Sequence, residues 1–150
     1  MPKLHGQASD VIDAPIERCY EVAADPENAP EWQPEIKVSN VLERNDKGEQ
    51  TLVHNEVDGR VKTLKSILRF SYDPPTGLQW RQEEGDLNGV EGSWVFEDLG
   101  EGRTKATIEM TFDLGRVLGM AIRGPLADLL RKQLVETMPG KLKTYVEANR

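Results

Sequence analysis

The sequence predicts an α+β fold in which a seven-stranded antiparallel sheet wraps around one long C-terminal helix. Two observations carry that reading. First, between Pro125 and Ala148 apolar residues recur at Leu126, Leu129, Leu130, Leu134, Met138, Leu142, Tyr145 and Val146, one face of a 3.6-period helix. At ~1.5 Å per residue such a helix is roughly 36 Å long. It must lay its stripe on something wide. Second, from Ile36 to Leu114 the apolar period is about two, and the runs are joined at hairpin length, which makes neighbouring strands antiparallel. A sheet curved around a helix leaves room for a cavity between them, so the pattern points toward small-molecule binding.

The elements follow in order. Lys3 to Ile12 reads as a first strand. Asp13-Ala14-Pro15 then opens a helix, with Asp13 as N-cap and Pro15 in the first turn. Ile16, Cys19, Tyr20 and Ala23 form its apolar face at i, i+3, i+4 and i+7. Asp25-Pro26 restarts the chain, a shorter helix covers Glu27 to Glu31, and Trp32-Gln33-Pro34 ends it. The second block runs Ile36–Glu43, Gln50–Val57, Val61–Tyr72, Leu78–Glu84, Asn88–Leu99 and Thr104–Leu114. Asn45-Asp46-Lys47-Gly48, Asp58-Gly59, Asp73-Pro74-Pro75-Thr76-Gly77 and Gly100-Glu101-Gly102 are its clearest turns. In the last strand Ala106, Ile108, Met110, Phe112 and Leu114 alternate with Thr107, Glu109 and Thr111, the signature of one buried and one wet face. Pro139-Gly140 interrupts the long helix, but the stripe stays in phase across it, which predicts a kink rather than an end.

Composition narrows the function. At 150 residues the chain suggests a single domain spanning 1–150. Cys19 is the only cysteine, so no internal disulfide forms, which suits a reducing cytoplasm. The N-terminus shows no apolar signal segment, and no apolar run approaches the ~20 residues of a membrane span. The expectation is a cytoplasmic chain without integral membrane association. Net charge is −7, acids and bases are interleaved and no Lys/Arg cluster occurs, which argues against nucleic acid as a partner. His5 and His54 lie on separate strands, and neither H-E-x-x-H nor CxxC spacing is present, so no metal site is expected. Phosphate-cradling glycine loops and a G-x-S-x-G elbow are also missing, and no cofactor is expected. Cys19 reads as a small buried apolar residue.

The phrases PEWQPEIK, YDPPTGLQW and EGDLNGVEGSWVFEDLGEGRTKATIEM, with the opening IDAPIERCYEVAADPENAP and the closing LKTYVE, resemble the START-like or Bet v 1-like superfamily. Within it the chain is similar to the bacterial polyketide cyclase/dehydrase and lipid transport proteins. The resemblance implies the helix-grip fold: seven antiparallel strands gripping the C-terminal helix, two short helices closing one end, and an internal cavity. It also implies that inward residues line that cavity. Those residues are Trp32, Phe70, Tyr72, Trp80, Trp94, Phe96, Ile108, Met110, Leu126, Leu130, Leu134 and Met138. In a plain sandwich the same side chains are core filling. Ser66 and Tyr72 would be polar points in an apolar wall.

Catalytic candidates are sparse. His54 and Glu56 share a strand face at i, i+2 and form an acid–base pair if that face is concave; Val53 and Val57 alternate with them and look more like the buried set. Arg69 falls opposite Leu68 and Phe70, and points inward only if the register slips by one residue. Two of His54, Glu56, Arg69 and Tyr72 converging inside would favour an enzyme, a polyketide cyclase, aromatase or dehydratase. An interior of Leu, Phe, Trp and Met would favour a carrier or sensor of a lipid, isoprenoid or polyketide-like molecule. A third reading is an interaction module with a collapsed cavity. The segment from Gly115 to Gly124, with Val117, Leu118, Met120 and Ile122 between Arg116 and Arg123, is too apolar for a polar turn. It reads as a helical turn packed on the sheet, as a flap over the cavity mouth, or as a membrane-touching patch, and the flap is preferred over the patch.

Overall fold

A computed structural model describes residues 3–149. Strands β1 (Lys3–Ile12), β2 (Ile36–Arg44), β3 (Gln50–Asp58), β4 (Thr63–Asp73), β5 (Gly77–Gly85), β6 (Gly89–Gly100) and β7 (Arg103–Asp113) form one antiparallel sheet. Its order is β1-β7-β6-β5-β4-β3-β2, so β1 and β2, separated in sequence by two short helices, become the two edges. Helix α1 (Ile16–Ala23) and a 3-10 segment (Pro26–Glu31) make that connection. After β7 come α2 (Gly115–Ala121) and then the long C-terminal helix. The latter runs as α3 (Pro125–Arg131), a π-helical turn (Lys132–Glu136) and α4 (Met138–Ala148).

The helix irregularity sits one turn before the proline. The Thr137 amide donates to the Lys132 carbonyl at 2.9 Å, an i to i−5 bond, and Pro139 falls in the first turn of α4. Proline there lacks the amide that would reach back to residue 135, and its ring crowds that carbonyl. A π turn is a usual way for a helix to absorb such a break. The inserted residue shifts the stripe: Leu130, Val135, Pro139, Leu142 and Val146 are fully buried, whereas Leu129 is turned toward solvent.

The helix seats on the sheet through two exchanges with edge strand β1. Arg131 Nε donates to the His5 carbonyl at 2.8 Å, and Lys143 Nζ donates to the Val11 carbonyl at 2.7 Å. These cations occupy edge groups that would otherwise recruit another strand. Gly6 allows the close approach, since a Cβ there would stand 3.0 Å from Arg131 Cγ and Val135 Cγ1. No described helix is long and apolar enough to cross a membrane.

The segment after β7 is a helix of its own rather than a single packed turn. Ile122 is buried and Leu118 half-buried, but Val117 is 79% and Met120 64% exposed.

Candidate functional site: the cavity between sheet and helix

Inward alternation builds the site row by row. Phe70, Trp80, Gly92, Met110 and Gly6 are paired across β4, β5, β6, β7 and β1, so they form one transverse row on the concave face. The next row is Tyr72, Leu78, Trp94, Ile108 and Ala8. Leu134 and Met138 close over these rows from the helix. Between them lies a cavity of about 120 Å³. Its apolar wall comes from Leu68, Phe70, Leu78, Trp80, Trp94, Ile108 and Met110, and from Leu134 and Met138. Leu64, Leu87, Val90 and Phe112 line the end nearest the β3–β4 and β5–β6 turns. The aromatic rings pack as pairs: Phe70 and Trp80 are 5.7 Å apart, and Trp94 stacks on Phe96 at 5.8 Å. Such pairs contribute ~0.5–1.5 kcal/mol beyond area burial and hold the wall rigid.

The β2–β3–β4 side of the cavity is polar. Gln33, Glu35, Ser39, Asn55 and Ser66 line it. Lys141 Nζ from α4 reaches Glu35 Oε1 and Oε2 at 2.8 and 2.9 Å, fastening the helix to the chain just before β2. Ser66 Oγ donates to Gln82 Oε1 at 2.9 Å, and Gln82 Nε2 donates to the Leu87 carbonyl at 2.8 Å. The sequence reading overlooked Glu35 and Asn55. Asn55 was within its reach, because it alternates in phase with Val53 and Val57.

Of the residues expected to line the cavity, Phe70, Trp80, Trp94, Ile108, Met110, Leu134 and Met138 do so. Five do not. Trp32 is buried behind Trp94, with ring centroids 6.4 Å apart. Phe96 is buried between Trp94 and Tyr20. Leu130 is turned into the core, and Leu126, one turn earlier, packs at its margin. Tyr72 stacks on Phe70 and donates its hydroxyl to the Gln50 carbonyl at 2.6 Å. Burial raises its phenol far above the ordinary value, so it stays a neutral donor tied to the backbone.

The acid–base candidates lie on the other face. His54 Nε2 and Glu56 Oε2 are 2.8 Å apart, so they do meet, but neither lines the cavity; Val53 and Asn55 occupy the inward positions of β3. Arg69 also points outward. Its Nε donates to Glu83 at 2.9 Å, and that carboxylate raises the guanidinium further while its own pKa falls below the usual range. A larger trough of about 510 Å³ runs over this outer face between Arg69, Arg81, Glu91 and Glu109. Its wall is made largely of charged and polar side chains, which offer little to an apolar molecule. The cavity between sheet and helix, with its apolar wall, is the candidate site. No three His, Cys, Asp or Glu side chains converge on a common point among the described residues.

A curved antiparallel sheet closed over a long helix around an amphipathic cavity defines a START-like, Bet v 1-like helix-grip protein. The chain belongs to the family described as polyketide cyclase / dehydrase and lipid transport, whose pattern matches residues 3–147. It is 26% identical over 142 residues to the ribosome association toxin RatA of Pseudomonas aeruginosa, covering 93% of this chain and 95% of that protein. A START superfamily protein from Mycobacterium smegmatis superposes with a TM-score of 0.83 at 20% identity, over 97% of this chain and 99% of that one. The Zhui aromatase/cyclase of Streptomyces sp. R1128 superposes with a TM-score of 0.81 at 19% identity, over 98% and 95%. At those identities the structural likeness establishes the fold, and function must be argued from the site.

Proposed function

We propose that the protein binds a hydrophobic small molecule between sheet and helix and acts as its carrier or sensor. The observation that supports this best is the cavity wall itself. Phe70, Trp80, Trp94, Ile108, Met110, Leu134 and Met138 enclose an apolar space, while His54, Glu56 and Arg69 face away from it. A few polar groups in a mostly apolar, enclosed wall are the usual composition of a ligand pocket. At about 120 Å³ the space is smaller than the ~300–1,000 Å³ of drug-sized sites, so a lipid or polyketide-like ligand requires it to widen. Helix α2, whose Val117 and Met120 are exposed while Leu118 and the following Ile122 pack inward, is the element suited to move as a flap. The test is native mass spectrometry of freshly purified protein, with extraction of any co-purified molecule. A stoichiometric apolar ligand is expected. Empty protein that also fails to take up an apolar fluorescent probe at micromolar concentration counts against the reading.

A cyclase or dehydratase is the second reading, and Glu35 is the observation that favours it. It is the one carboxylate in the cavity wall among the described residues, and general acid–base chemistry needs an ionisable group inside. Lys141 holds both its oxygens, which makes it a fastened ion pair before it is a base. We place ribosome association, suggested by the Pseudomonas relative's name, behind both, because a net charge of −7 works against binding to RNA.

A further inference from the structure

We propose that Asn55 is the polar anchor of the cavity, and that the ligand it selects is neutral and carries a carbonyl oxygen. This rests on the cavity-binding reading above. Asn55 is only 9% exposed and lines the cavity. Its Cα is paired with Ser39 on β2 and Ser66 on β4, so three small polar side chains form one row across the sheet. The two serines have committed their protons elsewhere. Ser39 Oγ donates to the Pro26 carbonyl at 2.6 Å, and Ser66 Oγ donates to Gln82 at 2.9 Å. The Asn55 carboxamide makes no side-chain hydrogen bond among the described residues. The amide is not sealed off, because the Tyr20 hydroxyl is the one sealed side-chain polar atom without a partner among the described residues; the Asn55 polar atoms stay open to whatever fills the cavity. The amide's N–H donors are therefore open to an acceptor that arrives with the ligand, beside a carbonyl oxygen that is equally unengaged.

Charge decides which acceptor. Among the described residues Glu35 is the only ionisable one in the lining, and its cationic partner Lys141 is already held at 2.8 and 2.9 Å. A carboxylate ligand would find no free cation inside and one fixed anion. A ketone, ester or quinone oxygen needs only the Asn55 N–H groups. The apolar remainder of such a molecule lies against Phe70, Trp80 and Trp94.

At about 120 Å³ the cavity is somewhat smaller than the ~150 Å³ apolar cavity that takes benzene in another protein, so single-ring molecules are the probes matched to it. The test titrates three matched single-ring probes, acetophenone, ethylbenzene and benzoate, into the ¹⁵N-labelled full chain by NMR. Acetophenone is expected to bind about fivefold more tightly than ethylbenzene, with benzoate weakest, and to move the Asn55 side-chain amide resonance. Asn55→Leu should keep ethylbenzene binding and erase the preference. Asn55→Ser, too short to reach the ligand, should do the same if the leucine variant does not fold. Equal binding of acetophenone and ethylbenzene to the unaltered protein would overturn the anchor and leave the cavity reading standing. So would a preference that survives either substitution. Benzoate binding as tightly as acetophenone would overturn the neutral-ligand part. If none of the three binds, the cavity reading fails and the anchor with it.

Discussion

Trp80 lays its indole across Gly92, in the space where any other residue would carry its Cβ. A Cβ built at position 92 collides with Trp80 Cε2 and Cζ2. The two residues are direct cross-strand partners between β5 and β6, so the glycine is what lets the ring lie flat along the cavity wall. Gly92→Ala must lift Trp80 away from the sheet. Overpacking of this kind costs ~1–3 kcal/mol. The variant is expected to melt lower, to shift its tryptophan emission, and to bind apolar probes more weakly. Calorimetry and a probe titration check this. A variant that melts and binds like the parent would show that the indole has another resting place.

The fold was legible because both periods are clean. Strand β7 alternates without a break, and its inward set, Ala106, Ile108 and Phe112, is buried as the pattern requires. The outward placement of Arg69 opposite Leu68 followed from the same alternation. The lining of the cavity was only partly legible. A period of 3.6 assigns Leu130 and Leu134 to one stripe, but it does not register the residue that the π turn inserts. It therefore missed Val135, fully buried against Gly6, and put Leu130 at the cavity instead of in the core. Asn55 could be placed inward from sequence. That its amide lacks a partner could not, because this depends on where Ser39 and Ser66 send their protons in three dimensions.

The cavity-filling test therefore belongs at position 134. Leu134 lines the cavity, whereas Leu130 is 1% exposed in close-packed core. Leu134→Phe should push its ring into the empty space, weakening probe binding by about tenfold or more while the melting temperature changes little. Leu130→Ala should do the opposite. It deletes core contacts at a cost of ~2–5 kcal/mol and leaves the cavity wall in place. A Leu134→Phe variant that binds the probe as well as the parent would put the ligand elsewhere.

Tyr20 offers a stabilising substitution. Its hydroxyl is buried, and it is the one such side-chain atom without a hydrogen-bond partner among the described residues. Burial, and then the charges of Glu49 and Asp73, push its pKa up to about 12. The ring itself packs edge-on against Phe96 at 6.4 Å. Tyr20→Phe keeps that packing and removes the unpaired hydroxyl. A gain of ~1 kcal/mol is expected, seen as a melting temperature higher by ~2–4 °C for a chain of this length. A lower melting temperature would mean that the hydroxyl has a partner in solution.

The pairing of Glu147 with Lys143 predicts a pH dependence. Glu147 Oε2 accepts from Lys143 Nζ at 2.8 Å and from the Asp13 amide at 2.9 Å, tying the end of α4 to the end of β1. The lysine first, and the amide second, hold the Glu147 carboxyl below its ordinary value. A carboxylate depressed in the folded state contributes stability that is fully present above its unfolded pKa, ~4.3. That contribution is lost as pH falls from there through the lower folded value. Lys143 is itself raised by Glu147, so it stays protonated over this whole range. Glu147→Gln should therefore lower stability at neutral pH, by under ~1 kcal/mol because the pair is largely solvated. The gap from the parent should then close on acidification below about pH 4. Urea denaturation midpoints of both proteins, measured from neutral pH down to about pH 3, provide the check. A gap that stays constant across that range would mean that Glu147 acts through the Asp13 amide and helix packing, not through its charge.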